Sequence, residues 1–105
     1  MEKILIVDDS LVQSSQLKSI LEDEYDITVA QRPEDGLRWA SEGGFSLILL
    51  DVVMPGMDGF TLLKKLQEEI ITQNVPVILI TSLSNVANEQ RGLILGAVDY
   101  ITKPF

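Results

Sequence analysis

The chain has 105 residues and a formal net charge of −8, from 16 acidic and 8 basic side chains. One domain with a self-sufficient core is therefore expected, and nucleic acid is not expected as a partner, because phosphate contacts need a basic face. Cysteine and histidine are both absent, which excludes disulfides, thiolate metal sites, cysteine nucleophiles and imidazole catalysis, and leaves any chemistry to carboxylates, hydroxyls, lysine or a hard metal ion. Taken in chain order, Ile4-Leu5-Ile6-Val7 has the length and β-branched content of a strand buried on both faces, and it stops at Asp8-Asp9. Ser10 stands as the N-cap of a first helix whose apolar face is Leu17, Ile20 and Leu21, ending near Tyr25. Asp26 to Ala30 alternates weakly and reads as a second strand. Pro33 suits the first turn of a second helix with Leu37 and Ala40 inward and Gly43-Gly44 at its close. The acidic residues from Glu22 to Asp26 and at Glu34-Asp35 read as a solvated helix end and the first turn of the next helix.

Leu47-Ile48-Leu49-Leu50 is a third strand that stops at Asp51. Asp58 or Gly59 opens a third helix with Leu63, Leu66 and Ile70 on one face, stopped by Asn74 and Pro76. Val77-Ile78-Leu79-Ile80 is a fourth strand, stopping at Thr81. Ser84 or Asn85 caps a fourth helix with Val86, Leu93 and Ile94 inward and Gly96 just past its end. Val98-Asp99-Tyr100-Ile101 is a fifth strand leading to Lys103-Pro104. Strict strand–helix alternation implies an α/β, doubly wound, five-stranded parallel sheet, and right-handed crossovers favour the flavodoxin-like strand order 2-1-3-4-5. In that order the first helix covers one face alone, and a fifth helix beside it is missing after Phe105, so an apolar strip of the sheet is expected to face water. The apolar run behind Met1 is too short for a signal peptide, no stretch has the length of a membrane span, and a cytoplasmic location is expected.

Parallel strands end on one edge, so Asp8, Asp9, Asp51, Thr81 and Lys103 are expected to gather in one crevice, where open α/β sheets bind ligands. Three aspartates brought together repel, each pair at about 4 Å by roughly 4 kcal/mol at an effective dielectric near 20. A magnesium ion fits such a cluster, since it takes oxygen ligands, usually a couple of carboxylates, and keeps positions for water and a substrate phosphate. A divalent ion, a lysine and a hydroxyl around one carboxylate are the parts needed to hold a phosphoryl group in transfer. Each residue also has an ordinary structural use: Asp8 and Asp9 could cap the first helix, Met54-Pro55-Gly56 could be a plain turn, Thr81 could cap the fourth helix, Lys103 could be a surface charge and Tyr100 could fill the sheet. Those uses do not explain why all of them lie on the same edge.

The chain resembles the receiver domain of the two-component response regulators, in the CheY-like superfamily. The resemblance rests on Ile4 to Ser10, Leu49 to Gly59 with its Met54-Pro55-Gly56-Met57-Asp58-Gly59 turn, Ile80-Thr81-Ser82, and Leu95 to Phe105, in family order along the whole chain. It implies that Asp51 is the phospho-acceptor, that Asp8 and Asp9 hold Mg²⁺ together with Asp51 and the backbone carbonyl of Val53, and that Thr81 and Lys103 bind the phosphoryl oxygens. It further implies that Tyr100 changes rotamer when Thr81 moves and that the Lys103-Pro104 bond is cis. Implied partners are a histidine kinase or phosphotransfer protein, a downstream effector, and a second copy, through the face of the fourth helix and fifth strand or by exchange of the missing helix. The implied role is a phosphorylation switch, not a metabolic enzyme, spanning residues 1–105 as a receiver domain short of its last helix.

Three rivals follow from the same residues. A metal-dependent aspartyl-phosphate phosphohydrolase would want a second acid where Val53 stands, a flavin carrier would need a phosphate-cradling loop where Asp8-Asp9 stands, and a receiver-like scaffold that is never phosphorylated would have no use for the complete residue set. Val53 and Leu83 are apolar where many family members carry polar side chains, so neither can hold an attacking water. The phosphorylated form is therefore expected to outlast seconds in Mg²⁺ buffer, and Val53→Asn to shorten its life, as followed by the decay of the phosphorylated mass.

Overall fold

Consecutive buried residues that point alternately to the two faces of the strands build two cores on one sheet. The computed structural model describes residues 1–52, 54, 58–82 and 86–103, with backbone alone at 82, 86–89 and 103. Its elements are β1 (Lys3–Val7), α1 (Leu11–Leu21), β2 (Asp26–Ala30), α2 (Pro33–Ser41), β3 (Phe45–Asp51), α3 (Gly59–Glu68), β4 (Val77–Ser82), α4 (Val86–Ile94) and β5 (Asp99–Lys103). The strands pair in parallel in the expected order β2-β1-β3-β4-β5. Leu5, Val7, Ile48, Leu50 and Leu79 point to one face and meet Ala40, Leu62, Leu63 and Leu66 of α2 and α3. Ile4, Ile6, Leu49 and Ile80 point to the other and meet Leu17 of α1. No described helix is long and apolar enough to cross a membrane.

Helix ends follow their local chemistry. The Ser10 hydroxyl caps α1 by accepting from the Gln13 N–H (3.2 Å), and Pro33 begins α2 while Gly43 and Gly44 leave it at positive φ. The expected caps Ser84 and Asn85 lie outside the described residues.

Four inward assignments fail. Ile70 is 85% exposed because α3 ends at Glu68: Glu69 is extended (φ −93°, ψ 137°), and the buried Thr72 hydroxyl donates to the Leu66 carbonyl at 2.6 Å, turning the chain away before Ile70 can join the helical face. Leu93 and Ile94 are exposed, and it is Gly92 that faces the sheet, where an added Cβ would lie 1.9 Å from Leu79 Cδ1. The helix approaches β4 at its smallest residue rather than through its apolar pair. Ile20 is also exposed, bordering an apolar groove of about 460 Å³ that Leu17, Leu21, Leu47, Leu49, Ile78 and Ile101 continue. This is the expected uncovered strip, and no described element covers it.

Gly92→Val is expected to cost about 2 kcal/mol in urea unfolding, since Leu79 is fully buried and has nowhere to retreat. An unchanged midpoint would show that α4 does not rest on β4 this closely.

Candidate functional site

The β1–β3 register pairs Val7 with Leu50, so the next residues, Asp8 and Asp51, leave the two central strands side by side. Both are buried, Asp9 is exposed, and one carboxylate oxygen from each of the three lies within 4.8 Å of the others. Asp8 is pinned by its N–H to the Ala30 carbonyl (3.0 Å) and by Oδ1, which accepts from the Ser10 N–H (2.9 Å). The helix cap is thus Ser10, and the Asp8 carboxylate is left for the site. Its other oxygen accepts from Gln13 Nε2, which also donates to Asp51 Oδ2 at 3.3 Å. Sequence reasoning missed Gln13. The signal available was a long polar side chain in the first turn of the helix that starts at the acidic edge.

Burial pushes the Asp8 carboxyl up to about 6, with the Asp51 charge adding to the effect, while the Ser10 N–H and the Gln13 amide oppose it. A site with this character is short of positive charge.

On the far side of Asp51, α3 starts in contact with the strand end. The Gly59 N–H donates to the Val52 carbonyl (3.0 Å), and an added Cβ would stand 2.5 Å from the Asp51 carbonyl oxygen. Only glycine permits this approach, because the obstacle is backbone. Asp58 caps the helix by accepting from the Thr61 N–H (2.8 Å), which with the Arg91 charge holds its carboxyl below the ordinary value.

Thr81 follows Ile80, the β4 partner of Asp51, and sits at the same edge. Its hydroxyl is buried, and among the described residues Oγ1 has no hydrogen-bond partner. A buried hydroxyl without a partner costs about 1–3 kcal/mol and needs a reason. Tyr100 pairs with Leu79 and is half-buried against the larger core. The Lys103 backbone pairs with Ser82, but its side chain, Val53 and Pro104 lie outside the described residues.

Residues 4–105 match the model of the response regulator receiver domain. The chain belongs to the response regulator receiver family. This receiver domain is 43% identical to the transcriptional regulatory protein YkoG of Bacillus subtilis over 108 residues, covering 100% of the chain and 46% of that protein. It is 41% identical to the response regulator PleD of Caulobacter vibrioides over 103 residues, covering 97% and 23% respectively. Its fold superimposes on the chemotaxis protein CheY4 of Vibrio cholerae with a TM-score of 0.92 at 30% identity, covering 100% of the chain and 88% of CheY4. The receiver therefore spans less than half the length of these two curated relatives. Receiver domains are signalling switches, in keeping with an edge that holds charge under tension.

Because Asp8 titrates near 6 in the fold against 3.8 ordinarily, the folded receiver holds a proton that the unfolded chain gives up between those values, and stability falls as pH rises through that window. Asp8→Asn removes the effect. In EDTA, the variant should match wild type below pH 4 and exceed it by about 2–3 kcal/mol at pH 7, read by urea unfolding at both pH values.

Proposed function

We propose that Asp51 of this receiver accepts a phosphoryl group from the phosphohistidine of a histidine kinase or phosphotransfer protein, and that the modified edge resets a surface read by a downstream effector. The observation that carries the reading is the meeting of Asp8, Asp9 and Asp51 within 4.8 Å beside a buried Thr81 hydroxyl that lacks a partner among the described residues. The donor set suits a hard divalent cation: oxygens only, from three carboxylates, in a place whose burial already lifts Asp8. Asp8, Asp9 and Asp51 would hold Mg²⁺, with the Val53 carbonyl as the further ligand that family membership suggests. Mg²⁺ bound there supplies the charge neutralisation that a phosphoryl group needs beside carboxylates.

An Asp51 carboxylate oxygen attacks phosphorus in line, forming the O–P bond as the P–N bond breaks and the imidazole leaves with the electron pair. Lys103 pairs with a phosphoryl oxygen, and the Thr81 hydroxyl turns to donate to another. Family membership supports this role for Lys103, a rotamer change of Tyr100 behind Thr81, and a cis bond before Pro104. The domain assists its own modification and turns over no metabolite. The apolar groove beside α1 is the seat we propose for a further helix, from the same polypeptide or from a second copy, and the α4–β5 face is the other candidate for pairing.

Mass spectrometry after acetyl phosphate and Mg²⁺ should show one added phosphoryl group in wild type and none in Asp51→Asn; an unmodified wild type with every donor, or a modified variant, overturns the assignment. Thr81→Val separates signal from structure. It should unfold no more easily than wild type without ligand, gaining on the order of 1 kcal/mol by losing a buried orphan, yet gain less thermal stability than wild type from beryllofluoride with Mg²⁺.

A further inference from the structure

Gln13 does something that neither its helix nor its core requires. Its backbone N–H is already taken by the Ser10 hydroxyl, so the helix start is complete without its side chain. That side chain nonetheless turns back over the sheet edge, where Nε2 donates to Asp8 Oδ2 and to Asp51 Oδ2. The orientation is set by charge. Reversed, Oε1 would face two carboxylate oxygens, whereas Nε2 offers one proton to each. A neutral amide thus bridges the two buried carboxylates of the cluster, supplying two partial positive charges where a cation would supply two whole ones.

We propose that the Gln13 carboxamide is an internal stand-in for the divalent cation: it ties Asp8 to Asp51 when no metal is bound and must withdraw when one enters. The inference rests on reading Asp8, Asp9 and Asp51 as the metal-holding set. Magnesium binds oxygens at about 2.0–2.1 Å, and amide protons aimed at the same oxygens would face it with like polarity. The side chain has a way out, since Gln13 is only half-buried and its neighbours Val12 and Gln16 are exposed. Breaking two hydrogen bonds to charged acceptors counts against metal affinity, and re-forming them favours release. Gln13 is therefore a positioning residue that sets the strength of metal binding, not a ligand.

The test is Mg²⁺ titration by isothermal calorimetry, with thermal unfolding in EDTA and in saturating Mg²⁺, on wild type, Gln13→Met, Gln13→Lys and Asp51→Asn. Gln13→Met keeps length and helix propensity but has no donor. It should bind Mg²⁺ roughly tenfold more tightly, about 1.4 kcal/mol, and melt below wild type in EDTA but level with it in saturating Mg²⁺. A merely structural role would lower the melting point equally in both. Gln13→Lys puts a whole charge in place of the amide and should do the reverse, raising the melting point in EDTA and weakening Mg²⁺ binding tenfold or more. Equal or weaker binding by Gln13→Met, or a deficit that Mg²⁺ does not close, overturns the role of Gln13 while wild-type binding lost in Asp51→Asn leaves the metal site standing. Absence of Mg²⁺ binding by wild type overturns both.

Discussion

Two carboxylates held side by side out of water set the terms for the rest of this fold. Asp8 and Asp51 leave adjacent central strands at the same level, and holding them there opposes folding, chiefly through the burial that lifts Asp8 and to a lesser degree through the Asp51 charge. The strands overcome it because Leu5, Ile6, Ile48 and Leu50 are wholly buried, each contributing about 1.5–3 kcal/mol. Slipping the register by one residue would separate the acids, but it would also turn every one of those side chains to the wrong face. The site is therefore charged by the packing of the strands beneath it.

That tension recruits donors from whatever lies nearest. Ser10 serves twice, its N–H binding Asp8 and its hydroxyl starting α1, so the first turn of the helix and the acidic edge form one unit. Gln13 extends the unit by bridging to Asp51. On the opposite side, Gly59 lets α3 begin against the backbone of Asp51 and Val52, which fixes the end of β3 from above. The positions of the acids are thus determined by backbone on both sides, and only the charge between them is left to be settled by a ligand.

Much of this was legible in the chain. Apolar runs that stop at acids reported the strands, the alternation reported a parallel sheet, and the common edge followed from parallelism. What escaped were features that depend on where a helix stops or how closely it lies. Ile70 continued the spacing of Leu63 and Leu66, but spacing cannot register that Thr72 would take the Leu66 carbonyl and end the helix first. Leu93 and Ile94 looked like an inner face, but the distance between α4 and β4 leaves room only for Gly92. Gln13 drew no reading, because the partner that makes it a bridge, Asp51, lies 38 residues on.

The same contacts define a short route from the edge to the outer helix. Gly59 touches the strand that ends in Asp51, and its neighbour Phe60 carries the Arg91 guanidinium of α4 over its ring at 4.3 Å. The first turn of α3 thus meets α4 through this stacking of Arg91 on Phe60. Beneath them Leu79 of β4, two residues before Thr81, carries Gly92. A Thr81 hydroxyl that gained a partner would pull on the end of β4, and at Gly92 α4 rests directly on the Leu79 side chain with no side chain of its own at that point. A packed contact of this kind responds by sliding or by not moving, and that is the behaviour a two-position switch requires.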